Sequence, residues 1–264
     1  MNRIDRHRLT NFDAVLFDMD GVITETAVLH AAAWKRLFDE YLKKLAACTG
    51  SLYEPFDPAR DYRLYVDGKS RYDGVKDFLK SRSLTLPPGL PDDGPDRETI
   101  YGLGNKKDTY FDECFRETGV VVYPGTVRYL HAARAAGLKT AVVSSSHHCR
   151  EIIRSAGLAP LFETHIDGHE IDRLHLHGKP APDTFLEAAR RVGVLPAKAI
   201  VIEDALAGVQ AGRAGGFGLV IGVDRENQAE ALRQQGADIV VTDLAELLPS
   251  EPETKPFPAP PAKN

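Results

Sequence analysis

Cysteine is scarce in this chain of 264 residues: Cys48, Cys114 and Cys149 are the only three, widely spaced and in no Cys-x-x-Cys pair. That excludes a disulfide framework and a thiolate zinc site, and it points to a reducing, cytoplasmic setting. Long apolar runs are also missing. Nothing approaches the roughly 18 consecutive apolar residues of a membrane helix, and the first residues lead into a strand rather than a secretory apolar core, so neither membrane insertion nor export is expected. Positive charge is not in excess: 33 Lys and Arg stand against 38 Asp and Glu, a net charge of −5. Such a balance leaves no footprint for nucleic acid or an anionic membrane, so any bound phosphate is small and locally gripped. What remains is a globular composition, 43% hydrophobic, 27% charged and 8% aromatic, without internal repeats. At this length it suits an α/β core carrying a smaller insertion.

Residues 13–17 form a short apolar run that ends in Asp18-Met19-Asp20-Gly21, which reads as a buried strand with carboxylates at its C-terminal end. A helical period follows over residues 26–41, with Leu29, Ala33, Leu37 and Tyr41 four apart, and then a polar, turn-rich stretch. Up to residue 119 the pattern offers helices near 72–81 and 106–117, separated by the Pro- and Gly-rich loop 86–96, and no buried strand. Beyond it strand and helix alternate: helix 126–136, strand 138–143, helix 148–156, strand 163–166, helix 181–192, strand 199–202, helix 205–214 and strand 218–223. Alternation of this kind builds a parallel sheet from βαβ units. The division is therefore a core of residues 1–25 and 120–248, a helical cap of residues 26–119, and a disordered Pro-rich tail over 249–264. Gly137, Gly157, Gly193 and Gly215 follow helices where C-terminal caps favour glycine.

Ligands of open parallel sheets sit at the carboxyl ends of the strands, and the chemistry-bearing residues fall there. Asp18 and Asp20, two apart, can divide the labour of nucleophile and proton carrier if their environments differ. Ser144-Ser145-Ser146 ends the second core strand and precedes a helix, where hydroxyls and backbone N–H groups can cradle a phosphate. Lys179 stands before a helix whose start is marked by Pro180 and Pro182, and presents a cation to the same edge. Glu203-Asp204 ends an apolar strand, where adjacent acids need a compensating cation. With Asp18 they suggest an oxygen-ligated Mg²⁺.

In that order these four segments resemble the motifs of the haloacid dehalogenase superfamily of phosphotransferases. The details are similar to its β-phosphoglucomutase-like family: residues 17–26 (FDMDGVITET), His30 and Trp34, the DGKSR stretch at 67–71, the serine run, GKPAPDTF and EDALAG. The resemblance implies a Rossmann-like parallel-sheet core with an inserted α-helical cap, and interconversion of β-glucose 1-phosphate and glucose 6-phosphate through a bisphosphate. It implies Asp18 as nucleophile forming an aspartyl phosphate, Asp20 as general acid/base, and Mg²⁺ held by Asp18, the Asp20 carbonyl and Asp204 with Glu203 in support. Ser144, the Ser145 N–H and Lys179 would grip the reacting phosphate and Arg71 and Ser70 the second one, whose site the His148 position touches; Gly68 and Ser146 join the same substrate- and phosphate-binding set. His30 and Lys107, or Lys106 beside it, would link substrate engagement to Asp20, with Thr26 and Trp34 near the cleft. The chain departs from the family at His148, where Asn is usual, and at Glu25, where Asp is usual. The substrate is expected to be a small sugar phosphate and the protein a monomer without nucleic-acid or membrane partners. An alternative is a sugar-phosphate phosphatase, in which water attacks the same aspartyl phosphate. A non-catalytic sensor would lack a nucleophile or a metal-binding acid, and both are present.

Other signals carry less. His165, His169, His175 and His177 read as a solvated, loop-like connection rather than a zinc site. The glycine-rich run 212–218 follows a helix and precedes a strand, the reverse of a dinucleotide fingerprint. Cys149 has no base partner in the sequence and reads as structural.

Overall fold

The computed structural model describes residues 11–50, 52 and 54–249; the expected Pro-rich tail lies outside them except for Pro249. Six parallel strands form one sheet in the order β3-β2-β1-β4-β5-β6. They are β1 (Ala14–Asp18), β2 (Lys139–Val143), β3 (Thr164–Ile166), β4 (Ala199–Glu203), β5 (Leu219–Val223) and β6 (Ile239–Val241). β1 pairs with β2 on one side and β4 on the other, so the order reverses beside it. That switch point is where a doubly wound sheet leaves a crevice at its carboxyl edge.

The strands are apolar on both faces because both are covered. Val15 and Phe17 pack into one core, while Ala14 and Leu16 pack into the other, as the two-residue period of a strand requires. Phe185, Ala188 and Val209 close the second core. They come from α7 (Asp183–Val192) and α8 (Leu206–Ala214). The first core holds Tyr129 and Leu130 of α4 (Pro124–Ala135) and Ile152 of α5 (Cys149–Ser155). It continues into Trp34, Leu37, Phe38, Phe78 and Phe111 of the helices between β1 and α4.

Those helices are α1 (Ala27–Thr49), α2 (Arg71–Ser81) and α3 (Ile100–Thr118), with a π-helical turn at Tyr62–Val66. The two chain segments joining them to the sheet are tied to each other, since Glu25 N–H donates to the Val121 carbonyl at 2.9 Å and Tyr123 N–H to the Ile23 carbonyl at 3.0 Å.

Several boundaries depart from the sequence pattern. α1 runs on to Thr49 because residues 42–49 are good helix formers and Leu42 is still buried. α3 starts at Ile100, capped by the Thr99 hydroxyl; Gly102 and Gly104 hid this turn from a propensity reading. A Cβ at Gly104 would lie 2.7 Å from the Tyr72 ring, so the glycine lets α3 approach α2 closely. The histidine-rich connection is only partly a loop: His165 lies in β3 and His169 in α6 (Gly168–Leu174), capped by Asp167, while His175 and His177 follow in the turn and loop after it. Positive φ after α8 belongs to Gly216, not Gly215, whose φ is −76°. The short α9 (Ala229–Gln234) and β6 add a further βαβ unit. Among the described residues no helix is long and apolar enough to cross a membrane.

Candidate active site

β1 is apolar until it leaves the sheet, so its first carboxylate, Asp18, appears at the carboxyl edge next to β4, which ends in Glu203. Lys179, buried in the turn before α7, sets its ammonium between the Asp18 and Glu203 carboxylates. Burial would lower that ammonium, but the two carboxylates outweigh it and hold it well above its ordinary value. Asp18, Glu203 and Asp204 are all buried, with a carboxylate oxygen of each within 4.8 Å of the others. Burial first, then Glu203, push the Asp18 carboxyl well up against the pull of Lys179. Burial, Asp67 and Asp18 do the same to Asp204. Three carboxylates against one ammonium leave negative charge that only protons or a cation can offset. The all-oxygen donor set fits a hard divalent metal ion.

The Asp20 carboxylate sits in a different environment. It accepts from the Thr26 hydroxyl and, at 3.2 Å, from Ser144 Oγ, and its Oδ1 lies 3.4 Å from His30 Nε2. Thr26 stands at the start of α1 yet caps no backbone group; its hydroxyl serves Asp20 instead. Burial raises the Asp20 carboxyl, but His30, Thr26 and Lys107 outweigh it and hold it at about 2. His30 Nδ1 meets Lys107 Nζ at 2.6 Å. Burial and then Lys107 lower the imidazole against the pull of Asp20, and the ring stands between them, Nδ1 toward the Lys107 ammonium and Nε2 toward the Asp20 carboxylate. Lys107 itself is pushed down to about 8, by burial first, with Asp108 and Asp20 pulling the other way. Of the two candidate lysines, Lys107 is thus the buried one, whereas Lys106 pairs with Glu40 at 3.2 Å.

Asp18 and Asp20 open on a cleft between the sheet edge and the insertion. Its opposite wall comes from the helical insertion: Trp34, Asp67, Gly68, Ser70, Arg71 and Lys107, with Ser145, Ser146 and His147 on the sheet side. Arg71 Nη1 lies 3.1 Å from Asp108 Oδ2, and Ser70 Oγ accepts from Asp73 N–H at 3.2 Å to cap α2. Ser145 Oγ donates to the Gly68 carbonyl at 2.9 Å and so ties the two walls together. Ser144, Lys179 and Glu203 are buried beneath the cleft rather than lining it.

Two placements differ from the sequence expectation. His148 does not line the cleft; it faces Asp108 and Asp112, while its neighbour His147 lines the wall and pairs with Asp172 at 3.0 Å. Asp67, part of the same DGKSR stretch as Arg71, is a cleft residue the sequence reading passed over. Burial, then Glu203 and Glu226, raise its carboxyl to about 8. The adjacency to Arg71 was the available signal. Nothing in the pattern around Asp108 marked it.

Residues 12–216 match the family model of haloacid dehalogenase-like hydrolases. A β-phosphoglucomutase of Mycobacterium tuberculosis is 52% identical over 238 residues, covering 89% of this chain and 91% of its own. A β-phosphoglucomutase of Bacillus subtilis is 30% identical over 234 residues, covering 89% and 91%. The solved structure of a β-phosphoglucomutase from Clostridium difficile superposes with a TM-score of 0.69 at 24% identity, over 90% of this chain and 93% of that one, and shares the fold.

Proposed function

The chain belongs to the haloacid dehalogenase-like hydrolases, and from that membership we propose that it interconverts β-D-glucose 1-phosphate and glucose 6-phosphate through a sugar bisphosphate. The observation that carries this reading is the pairing of Asp18 and Asp20 in one cleft, the first carboxyl raised by burial and Glu203 and the second held at about 2 by His30, Thr26 and Lys107. Such a separation assigns different roles to two acids.

Asp18, carrying a phosphoryl group as an acyl phosphate, gives it to the C6 hydroxyl of β-glucose 1-phosphate. The bond from phosphorus to Asp18 breaks as the bond to the sugar oxygen forms, and the ionised Asp20 takes the hydroxyl proton. The resulting bisphosphate presents its other phosphate. Asp18 attacks that phosphorus, Asp20 returns the proton to the departing C1 oxygen, and glucose 6-phosphate leaves. Lys179 and the Ser144–Ser146 turn hold the reacting phosphate, while Arg71, Ser70 and Gly68 hold the second. His30 and Lys107 keep Asp20 ionised and aimed. We assign Mg²⁺ to the Asp18, Glu203 and Asp204 carboxylates and the Asp20 backbone carbonyl; when bound it neutralises charge on the transferring oxygens. Closure of residues 26–119 over the sheet edge excludes water, which separates a mutase from a phosphatase.

The test is incubation with Mg²⁺, β-glucose 1-phosphate and a trace of the 1,6-bisphosphate, following glucose 6-phosphate and free phosphate together. Primer-dependent glucose 6-phosphate with little free phosphate is expected; free phosphate without the isomer would make the protein a phosphatase.

A further inference from the structure

Lys107, Asp108, Phe111 and Asp112 fall on one helical face, and across the gap stands His148, at the N-terminal boundary of α5. Each of its ring nitrogens faces a carboxylate: Nε2 lies 3.2 Å from Asp108 Oδ1 and Nδ1 lies 3.4 Å from Asp112 Oδ1. The ring packs on Phe111 with centroids 4.9 Å apart, and Phe111 is itself stacked on His30 at 4.1 Å. The other oxygen of Asp108 holds Arg71. One histidine of the sheet unit therefore touches the helix that presents Lys107 to His30 and the aspartate that positions Arg71. Only 13% of its side chain and 23% of that of Asp108 is exposed, so this contact is better shielded from solvent than one on the open surface.

We propose that His148 is a positioning residue that latches the helical insertion onto the sheet unit by gripping Asp108 and Asp112, and so holds α3, Lys107 and Arg71 in the closed arrangement. The proposal rests on the mutase reading, since what the latch protects is the acyl phosphate on Asp18 from water. Without it, Asp108 and Asp112 lose their shared partner, and the Ser145–Gly68 hydrogen bond is left among the polar ties between the two walls. The carboxyl of Asp108 fits this account. Burial would raise it, yet His148, then Arg71 and Lys107, hold it well below the carboxylate range. His148 is thus assigned to closure rather than to the sugar phosphate.

The variants are H148N, D112N and their combination. H148N is expected to raise the share of turnovers ending in free phosphate about fivefold or more and to raise KM for β-glucose 1-phosphate severalfold, with kcat within about threefold, because a less populated closed state taxes binding. D112N, at a half-buried carboxylate remote from the cleft, should shift both in the same direction by less. The double variant should be no worse than H148N, as partners in one contact are not additive. A wild-type product ratio in H148N, or additive effects in the double variant, would overturn the proposal. Amide hydrogen exchange at residues 66–71 reads closure without turnover. It should quicken at least about threefold in H148N, and unchanged exchange would sink the latch even if the mutase reading stands. Should the wild type make no glucose 6-phosphate, the mutase reading fails, while the exchange experiment still decides the latch.

Discussion

A Cβ added at Gly21 would lie 1.7 Å from Asp204 Oδ2, so the Asp204 carboxylate occupies the space a side chain at position 21 would need. Gly21 also sits at φ +84°, a conformation that L residues adopt only at a cost of about 1–2 kcal/mol. The glycine of the Asp18-Met19-Asp20-Gly21 motif is therefore there to let a carboxylate of the loop after β4 reach the end of β1.

Gly21→Ala should push Asp204 out of the acidic cluster. We expect kcat/KM to fall by about 100-fold or more and the Mg²⁺ concentration for half activity to rise, while the melting temperature changes by only a few degrees. Titration of activity with Mg²⁺ checks this, and wild-type metal dependence would refute it.

Divalent metal should stabilise the protein through Asp18, Glu203 and Asp204. At 100 times its dissociation constant a ligand adds about 2.7 kcal/mol, which at this size raises Tm by about 5–10 °C relative to chelated protein. Asp18 and Asp204 have raised carboxyls, so their protonated forms favour the folded state in acid and that contribution is lost as pH rises through the folded pKa. Protons and metal compete for the same oxygens, so the Tm difference should widen from acid to neutral pH. Asp204→Asn should abolish the shift without lowering Tm in chelator. Differential scanning fluorimetry reads both.

Lys107 titrates at about 8, so it is an ammonium below that pH and loses its charge above it. The His30–Asp20 arrangement relies on that charge, and kcat/KM should decline above about pH 8. Lys107→Met should remove the alkaline limb and lower kcat about 10–100-fold at neutral pH. From this group alone stability moves the other way, rising between about 8 and the ordinary 10.5, because the unfolded chain holds the proton more tightly. A limb that persists in Lys107→Met would assign it elsewhere.

With Asp18 as the proposed nucleophile, Asp18→Asn should cut turnover by at least about 10³-fold in both the mutase reaction and aryl phosphate hydrolysis. Arg71→Ala should instead depress mutase turnover more than hydrolysis of a small aryl phosphate, which has no second phosphate to hold. Equal losses in the two assays would remove Arg71 from the second-phosphate site.

Asp18, Ser144, Lys179 and Glu203-Asp204 were legible in the sequence because the signals are local. An apolar run marks a strand, its first polar residue marks the carboxyl end, and parallel pairing brings every such end to one edge. The same logic marked residues 26–119 as helical, though not where α1 stops or α3 starts. There, Leu42 still buried and glycines in close packing outweighed local propensity.

What the tertiary structure alone decided is which side chains face one another across the gap between the insertion and the sheet. Thr26, placed near the cleft by resemblance, gives its hydroxyl to Asp20; His148, placed by resemblance at the second phosphate, faces Asp108 and Asp112 and leaves the cleft wall to His147. These pairings join residues 6 to 124 positions apart, as in Thr26 with Asp20 and Ser144 with Asp20. Periodicity and motif spacing set where a residue lies along its own element, whereas these contacts depend on the angle at which α1 and α3 approach the sheet edge. How the three helices sit against one another depends on the shared packing of Trp34, Phe38, Phe78 and Phe111, which come from three separate elements and which no single segment encodes.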